Sequence, residues 1–396
     1  MKKRHFDAIL VIGDTTFGNP NFRYVVGANL PRGGVYLKKF GKEPVLIVSN
    51  IDLGSAEKSQ VKQTRTFSEY EYEKLSQKFE RSQALILLYE RILKKHRTSG
   101  KIGLFGRIEA AGVLRLAEGL RKLGLHVVGD RHPTLIEALR EIKTSQEMEK
   151  ISELGEKTER VMKRITALLK DCTIREDELY CQGQRLTVGI VKKHIGRFLA
   201  EENLVASEDT IFAVGPKSAD PHYHGENSDL VRANKPIVFD IFPQEVGGYC
   251  FDMTRTFVVG DAPPKIKEMH ELVRETQLLT LGKLRHGAEI REIVDSACEN
   301  FERHGYRTIR SLMKGDKKAL TFGFTHSLGH GVGLTIGERP FLTLFAGERL
   351  RTGHVMTVEP GLYEPGVGGV RIEDVVAVEE DKVVSFSRLD KDLKLI

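Results

Sequence analysis

Cysteine is scarce and dispersed. The chain has Cys172, Cys181, Cys250 and Cys298 and no C-x-x-C pair, so neither a zinc knuckle nor a disulfide framework is indicated, and reduced thiols are the expectation. Long apolar runs are missing as well. Nothing approaches the ~18 consecutive apolar residues of a transmembrane helix, which argues against a membrane protein. The apolar run from Ala8 to Ile12 follows Asp7 and is shorter than the ~7 residues of a signal-peptide core. Export is therefore disfavoured, and a cytoplasmic location is expected. Basic runs are also absent. Lys plus Arg exceed Asp plus Glu by 61 to 55, but the two signs are interleaved, as in Glu147, Lys150, Glu153, Lys157, Glu159 and Arg160. That pattern describes a solvated surface and speaks against a nucleic-acid partner. Gly13 and Gly18 stand alone, without a G-x-G-x-x-G fingerprint, so no dinucleotide site is indicated.

What is present is enough for a folded protein of some size. At 396 residues the chain exceeds the ~250 to 300 at which one hydrophobic core stops growing, so two domains are the default. With 40% hydrophobic and 29% charged residues, a packed core is feasible and a largely disordered chain is excluded. Residues 1–140 alternate between strand and helix patterns. Short β-rich runs are read at Ala8 to Ile12, Gly34 to Lys38, Pro44 to Ser49, Lys101 to Phe105 and His126 to Val128. Helices are read at Ser82 to Lys95 and Ile108 to Leu123, the latter closed by Gly124. This predicts a compact α/β domain.

A helical connection around Pro133 to Ser145 leads into a second domain over 146–396. There Met148, Ile151, Leu154, Val161, Ile165 and Leu168 form one helical stripe, and Lys265 to Leu281 and Ala288 to His304 repeat the amphipathic pattern. Strand-like runs cover Thr210 to Val214, Pro236 to Phe242, Phe251 to Val259, His354 to Glu359 and Gly369 to Glu379. Helices and strands in blocks point to α+β.

Two hairpins in this domain carry a carboxylate in each strand. Asp240 and Asp252 are joined through Gly247 and Gly248, and Glu359 and Glu373 through Glu364 to Gly369. The pairs centre on positions 246 and 366, inside the turns, so each pair is expected to face itself across its hairpin. Directly opposed residues have Cβ atoms ~4.5 to 5.5 Å apart, where like charges destabilise the pairing. A lone acidic residue in a strand is usually a satisfied polar group. Four in two hairpins, flanked by Val238, Phe239, Val358 and Ile372, would put negative charge into low dielectric and need neutralising. A dinuclear divalent-metal site does so, and an oxygen-rich shell suits Mn²⁺, Co²⁺, Fe²⁺ or Zn²⁺. Histidine candidates are His330, between glycines in Thr-His-Ser-Leu-Gly-His-Gly-Val-Gly, with His326 four residues earlier and His222 and His224 in Asp-Pro-His-Tyr-His.

The ordered set Asp240, Asp252, His330, Glu359 and Glu373 is carried in Tyr-Cys-Phe-Asp-Met-Thr-Arg-Thr-Phe, Gly-His-Gly-Val-Gly-Leu, Val-Glu-Pro-Gly-Leu-Tyr and Val-Arg-Ile-Glu-Asp. It resembles the pita-bread metallopeptidases, in particular the Xaa-Pro branch of aminopeptidase P and prolidase with a creatinase-like N-terminal domain. The resemblance covers nearly the whole chain, and its motifs are specific together and weak singly. It implies an α/β N-terminal domain followed by an α+β pita-bread catalytic domain. Asp240, Asp252, His330, Glu359 and Glu373 are the implied ligands of two divalent ions, Mn²⁺ or Co²⁺ first and Zn²⁺ or Fe²⁺ next. The implied catalytic residues are Glu359 as general base, His222 and His326 as substrate contacts, and Arg371 beside the last ligand. Two such ions acidify a water and polarise a scissile carbonyl, and Glu359 would carry the proton to the leaving nitrogen. The implied substrates are short proline-containing peptides, and the implied assembly is a homodimer.

The sequence departs from the family pattern at two places. A second family histidine, seven residues after the metal histidine, is replaced by Gly337 in Thr335-Ile336-Gly337-Glu338. The interval from Asp240 to Asp252 is one residue longer than usual, read as a longer turn or bulge at Pro243 to Gly248. Gly337 keeps open an alternative, a catalytically impaired pita-bread protein that binds peptides. A third reading, a metal-free creatinase-like C–N hydrolase, has no need of the five-ligand set.

Overall fold

Strand β1 (Ala8–Gly13) is buried along its whole length because both of its faces are covered. Ala8, Leu10 and Ile12 join one apolar cluster, and Ile9 and Val11 the other. Such a strand reads as a continuous apolar run rather than an alternating one. It sits within a six-stranded sheet ordered β4-β3-β2-β1-β5-β6, made with β2 (Gly34–Lys39), β3 (Val45–Val48), β4 (Gln63–Thr66), β5 (Lys101–Arg107) and β6 (His126–Val128). Helix α1 (Pro20–Val26) covers one face. It starts on Asn19, whose side chain accepts the Phe22 N–H, and ends at Gly27 with positive φ. Helices α2 (Arg81–Lys95) and α3 (Ala110–Lys122) cover the other through Ala84, Leu88, Ile92, Leu116 and Leu120.

These elements form the first of two compact units, Met1–Arg140 and Glu141–Ile396, in a computed structural model that describes residues 1–313, 315 and 321–395. The second unit opens with α4 (Ser145–Lys170), set by a reciprocal cap between Thr144 and Glu147, and continues with α5 (Val188–Glu201). Both helices pack on the apolar face of a three-stranded sheet of β7 (Ile211–Val214), β8 (Pro236–Ile241) and β9 (Met253–Val258). Helices α6 (Pro264–Leu281) and α7 (Ile290–Arg303) enclose a separate core with a five-stranded sheet. That sheet runs β11-β10-β12-β15-β16, from β10 (Gly329–Val332), β11 (Ile336–Leu342), β12 (Val355–Val358), β15 (Asp374–Val378) and β16 (Val383–Ser385). The ladder β13 (Gly361–Glu364) with β14 (Gly368–Arg371) completes the part that concerns the site.

Three expectations need correction. The run Gly369 to Glu379 is not one strand, because Ile372 and Glu373 separate β14 from β15 and the Glu373 N–H turns to the Thr254 carbonyl. Pro243 to Gly248 is not merely a turn or bulge. Pro243–Glu245 leaves the hairpin to pair with Leu204–Ala206, which absorbs the extra length before the turn at Gly247. Cys172 and Cys181 are joined to each other, whereas Cys250 and Cys298 are buried thiols outside that disulfide. The hairpin that pairs Thr173 with Tyr180 brings the two cysteines opposite one another as the next pair out. No helix among the described residues is long and apolar enough to cross a membrane.

Candidate metal centre

Each acidic candidate sits where a strand pair ends or breaks. In the first hairpin Asp240 lies directly opposite Thr254, so Asp252 is its diagonal neighbour on the same face rather than its direct partner. The ladder is centred one residue beyond the sequence midpoint because Pro243–Glu245 has left it. In the second, Val358 pairs with Asp374 and Gly361 with Arg371 in one continuous register. Glu359 and Glu373 occupy the gap between those two ladders, where the backbone turns away and both side chains face one cavity.

His330 enters from β10, whose backbone is held close to its neighbours by the glycines on either side. A Cβ on Gly329 would run into the Thr357 carbonyl oxygen, and one on Gly331 into that of Arg339, both closer than real Cβ contacts allow. The His330 N–H donates to Thr357 Oγ1 (3.0 Å), and its Nε2 lies 3.4 Å from Glu359 Oε1 and 3.7 Å from Asp252 Oδ2. Its Nδ1 lies 3.2 Å from the Gly331 carbonyl and accepts the Gly337 N–H (3.2 Å), while Nε2 faces the carboxylates. Asp252, His330 and Glu373 offer ligand atoms that all lie within 4.8 Å of one another.

The electrostatics of the cluster are unfavourable for carboxylates left to themselves. Asp240, Asp252 and Glu373 are 7, 4 and 2% exposed. Burial, then the charges of Glu373, Asp240 and Glu359, push Asp252 well above the usual carboxylate range. Burial, with Glu359 and Asp240, does the same to Glu373. Glu359 rises to about 7, driven by burial and Asp240 against the opposing pull of Arg371. One cation is present among them: Arg371 Nη2 donates to Asp240 Oδ2 (2.6 Å). Asp240 Oδ1 is buried with no hydrogen-bond partner. A buried carboxylate oxygen without a partner, in a hard-donor set with one imidazole, is the chemistry that a divalent cation satisfies.

Neighbours that the sequence reading assigned no role hold these groups in place. Thr254 Oγ1 donates to Glu373 Oε2 (2.6 Å), and Thr357 Oγ1 donates to Glu359 Oε1 (3.0 Å). Arg255 Nη1 donates to the Glu373 carbonyl (2.7 Å) while its Nη2 pairs with Asp374 (2.8 Å), which also meets Lys391. Tyr363 receives Arg371 Nη1 (2.5 Å) and donates to His326 Nε2 (2.9 Å). His326 Nδ1 then donates to the Ser327 carbonyl (2.8 Å). Burial, reinforced by Arg371, lowers the His326 pKa to about 3, so this imidazole is neutral. Strand alternation was the available signal for the threonines: Thr254 faces Asp240 across the ladder, and Thr357 precedes Glu359 by two.

The cavity that collects these groups measures about 570 Å³. It is lined by Asp240, Asp252, His330, Glu359 and Glu373 together with His222, His224, His326 and Arg371, so every site residue expected from the sequence meets here. His222 is exposed, and its backbone N–H donates to Asp220 Oδ1 (3.0 Å). His224 Nδ1 is turned to the Asp209 carbonyl (2.6 Å). Ile211, Phe242 and Ile336 add apolar wall, and Gly337 leaves no side chain where the resembling family carries a second histidine.

Comparison with known proteins agrees with this geometry. Residues 149–380 match the profile of metallopeptidase family M24. The chain is 28% identical over 375 residues to an Xaa-Pro dipeptidase of Pyrococcus furiosus, covering 93% of this chain and 92% of that one. It is 30% identical over 277 residues to an uncharacterized peptidase of Staphylococcus saprophyticus, covering 70 and 71%. The fold matches an X-Pro aminopeptidase from Thermotoga maritima with TM-score 0.79 at 22% identity, over 99% of this chain and 98% of that one. An Xaa-Pro dipeptidase from Bacillus anthracis matches equally, with TM-score 0.79 at 24% identity over 99 and 96%. With a profile match over more than half its length and the pita-bread architecture of these structures, the chain belongs to metallopeptidase family M24 and is a peptidase that uses divalent metal.

Proposed function

We propose that this peptidase hydrolyses Xaa-Pro bonds in short peptides, with Asp240, Asp252, His330, Glu359 and Glu373 holding two divalent cations. The observation that carries the reading is the convergence of four carboxylates on one imidazole in a cavity where Asp240 Oδ1 has no partner and three of the acids are pushed toward protonation. When bound, the cations supply an acidified water and a Lewis acid for the scissile carbonyl.

The chain's own residues do the rest. Glu359, at the edge of the group and held by Thr357, is placed to carry a proton to the leaving nitrogen. Arg371 fixes Asp240 and, through Tyr363, orients the neutral His326, which with His222 faces the space left for the peptide. An Xaa-Pro bond offers no N–H and a rigid ring, so its recognition falls to shape and to the apolar wall of Ile211, Phe242 and Ile336. Xaa-Pro dipeptidases and aminopeptidases among the similar proteins support the substrate class. The choice of Mn²⁺ or Co²⁺ and a homodimer rest on the family resemblance, and a cytoplasmic location on the short apolar run after Asp7 and the lack of a membrane-length one.

A second reading, peptide binding without turnover, is favoured by Gly337, which presents no side chain where the family carries a substrate-positioning histidine. Incubation with Mn²⁺ or Co²⁺ and Xaa-Pro dipeptides and tripeptides, with Asp252→Asn as control, separates the two. Metal-dependent cleavage by the parent chain alone is the expected result. Saturable binding without cleavage of any peptide establishes the second reading. The length series also assigns dipeptidase or aminopeptidase.

A further inference from the structure

The first unit contains a cavity of its own. It has a volume of about 400 Å³ and opens between the N-terminal turns of α2 and α3. Its floor is Ile12, at the carboxyl end of β1, and Ile108, just past the end of β5. These two strands are parallel neighbours, and from them the sheet builds in opposite directions, to β2, β3 and β4 on one side and β6 on the other. The carboxyl ends of parallel strands at such a reversal are where open α/β sheets place ligands.

The lining goes beyond location. Leu85, Ile86 and Leu116 make an apolar wall. Tyr89 is 8% exposed and lines the cavity, yet its hydroxyl forms no hydrogen bond with any described residue. Burial raises its pKa, so it remains a neutral phenol able to donate. Arg81 and Arg115 stand at the exposed rim and make no hydrogen bond or ion pair with described residues. Two carboxylates stand beside them: Glu80 accepts the Ser82 and Gln83 N–H groups, which with the charge of Arg115 hold it below its usual pKa, and Glu109, itself in the lining, accepts the N–H groups of Ala111 and Gly112. Gly112 is the remaining signal. It lies in the first turn of α3 and in the cavity lining, and a Cβ there would meet nothing closer than Glu109 Oε2 at 3.8 Å.

We propose that this cavity is a binding site for a small apolar carboxylate, its chain against Leu85, Ile86 and Leu116, and its acid group shared by the Tyr89 hydroxyl and the guanidinium groups of Arg81 and Arg115. The site is separate from the metal centre in residues and in unit, and does not depend on the peptidase reading.

The test is ligand-observed NMR of the full metal-loaded chain with hexanoate, hexanol and hexylamine as probes. Hexanoate is expected to bind saturably, and hexanol and hexylamine about tenfold more weakly or less, as loss of a charged hydrogen bond implies. Gly112→Leu fills the space and abolishes binding without lowering the melting temperature. Tyr89→Phe weakens binding about fivefold and Arg81→Ala with Arg115→Ala about tenfold, and these changes decide the matter alone if Gly112→Leu does not fold. Because a carboxylate also has affinity for bound cations, the titration is repeated in Asp252→Asn, where hexanoate binding should persist. Hexanoate binding that vanishes in Asp252→Asn, survives both the tyrosine and arginine changes, or is matched by hexanol overturns the proposal.

Discussion

Asp240 Oδ1, buried and without a partner, and Glu359, raised to about 7, express the same demand for positive charge. The demand has a measurable sign when metal is removed. Unfolded, Glu359 loses its proton near its ordinary value of 4.5, and folded at about 7, so its contribution to stability is complete below 4.5 and disappears as pH rises through 7. Asp252 and Glu373, also raised, act in the same direction. Chelated protein should therefore melt at a lower temperature at about pH 8 than at about pH 5.5, and added divalent cation should raise melting most at the higher pH, which differential scanning calorimetry reads directly. Supporting side chains give a second expectation. Thr254→Val removes the donor to Glu373 Oε2 and should weaken metal affinity about 10- to 100-fold in a chelator competition with the fold intact. Tyr363→Phe should leave metal affinity unchanged but lower kcat/KM about tenfold, since it unlinks His326 from Arg371 and costs one charge-assisted hydrogen bond. Of these residues, the acids were legible in sequence because charge inside apolar runs is conspicuous, and His330 because glycines flank it. Tyr363 was not, because its function lies in a contact 37 positions back, to His326.

Hairpin register decides which acids meet. For Glu359 and Glu373 the sequence midpoint, 366, coincides with the register of both flanking ladders, so their meeting is legible in the sequence. For Asp240 and Asp252 it could not, because Pro243–Glu245 pairs elsewhere and shifts the ladder by one, turning an expected direct pair into a diagonal one. The acids still share a face, since a diagonal neighbour preserves the two-residue alternation. The same limit explains the joined Cys172 and Cys181, whose pairing follows from a short hairpin that wide spacing concealed. At this scale the glycines around His330 are the exposed point. Gly329→Ala or Gly331→Ala drives a Cβ into a carbonyl of a neighbouring segment and should cost about 1 to 3 kcal/mol, read as a lower urea midpoint at constant m, together with loss of metal affinity as His330 is displaced.

Across the whole molecule, composition and alternation pattern conveyed two units of different class, because one has strands buried on both faces between helices and the other keeps its helices on the outer faces of twin sheets. What composition could not convey is that the two sheets of the second unit deliver their acids to one cavity, since this depends on packing between segments more than 100 residues apart, as in the bond from Arg371 to Asp240. The proposed metal centre is therefore a property of the assembled unit and should appear and vanish as a whole. Equilibrium dialysis of the purified full chain against Mn²⁺, with metal counted by mass spectrometry, tests this most directly. The account predicts about two ions per chain, reduced in both Asp252→Asn and Glu373→Gln along with cleavage of Xaa-Pro dipeptides. Retention of no Mn²⁺, or a stoichiometry that neither substitution changes, would contradict it.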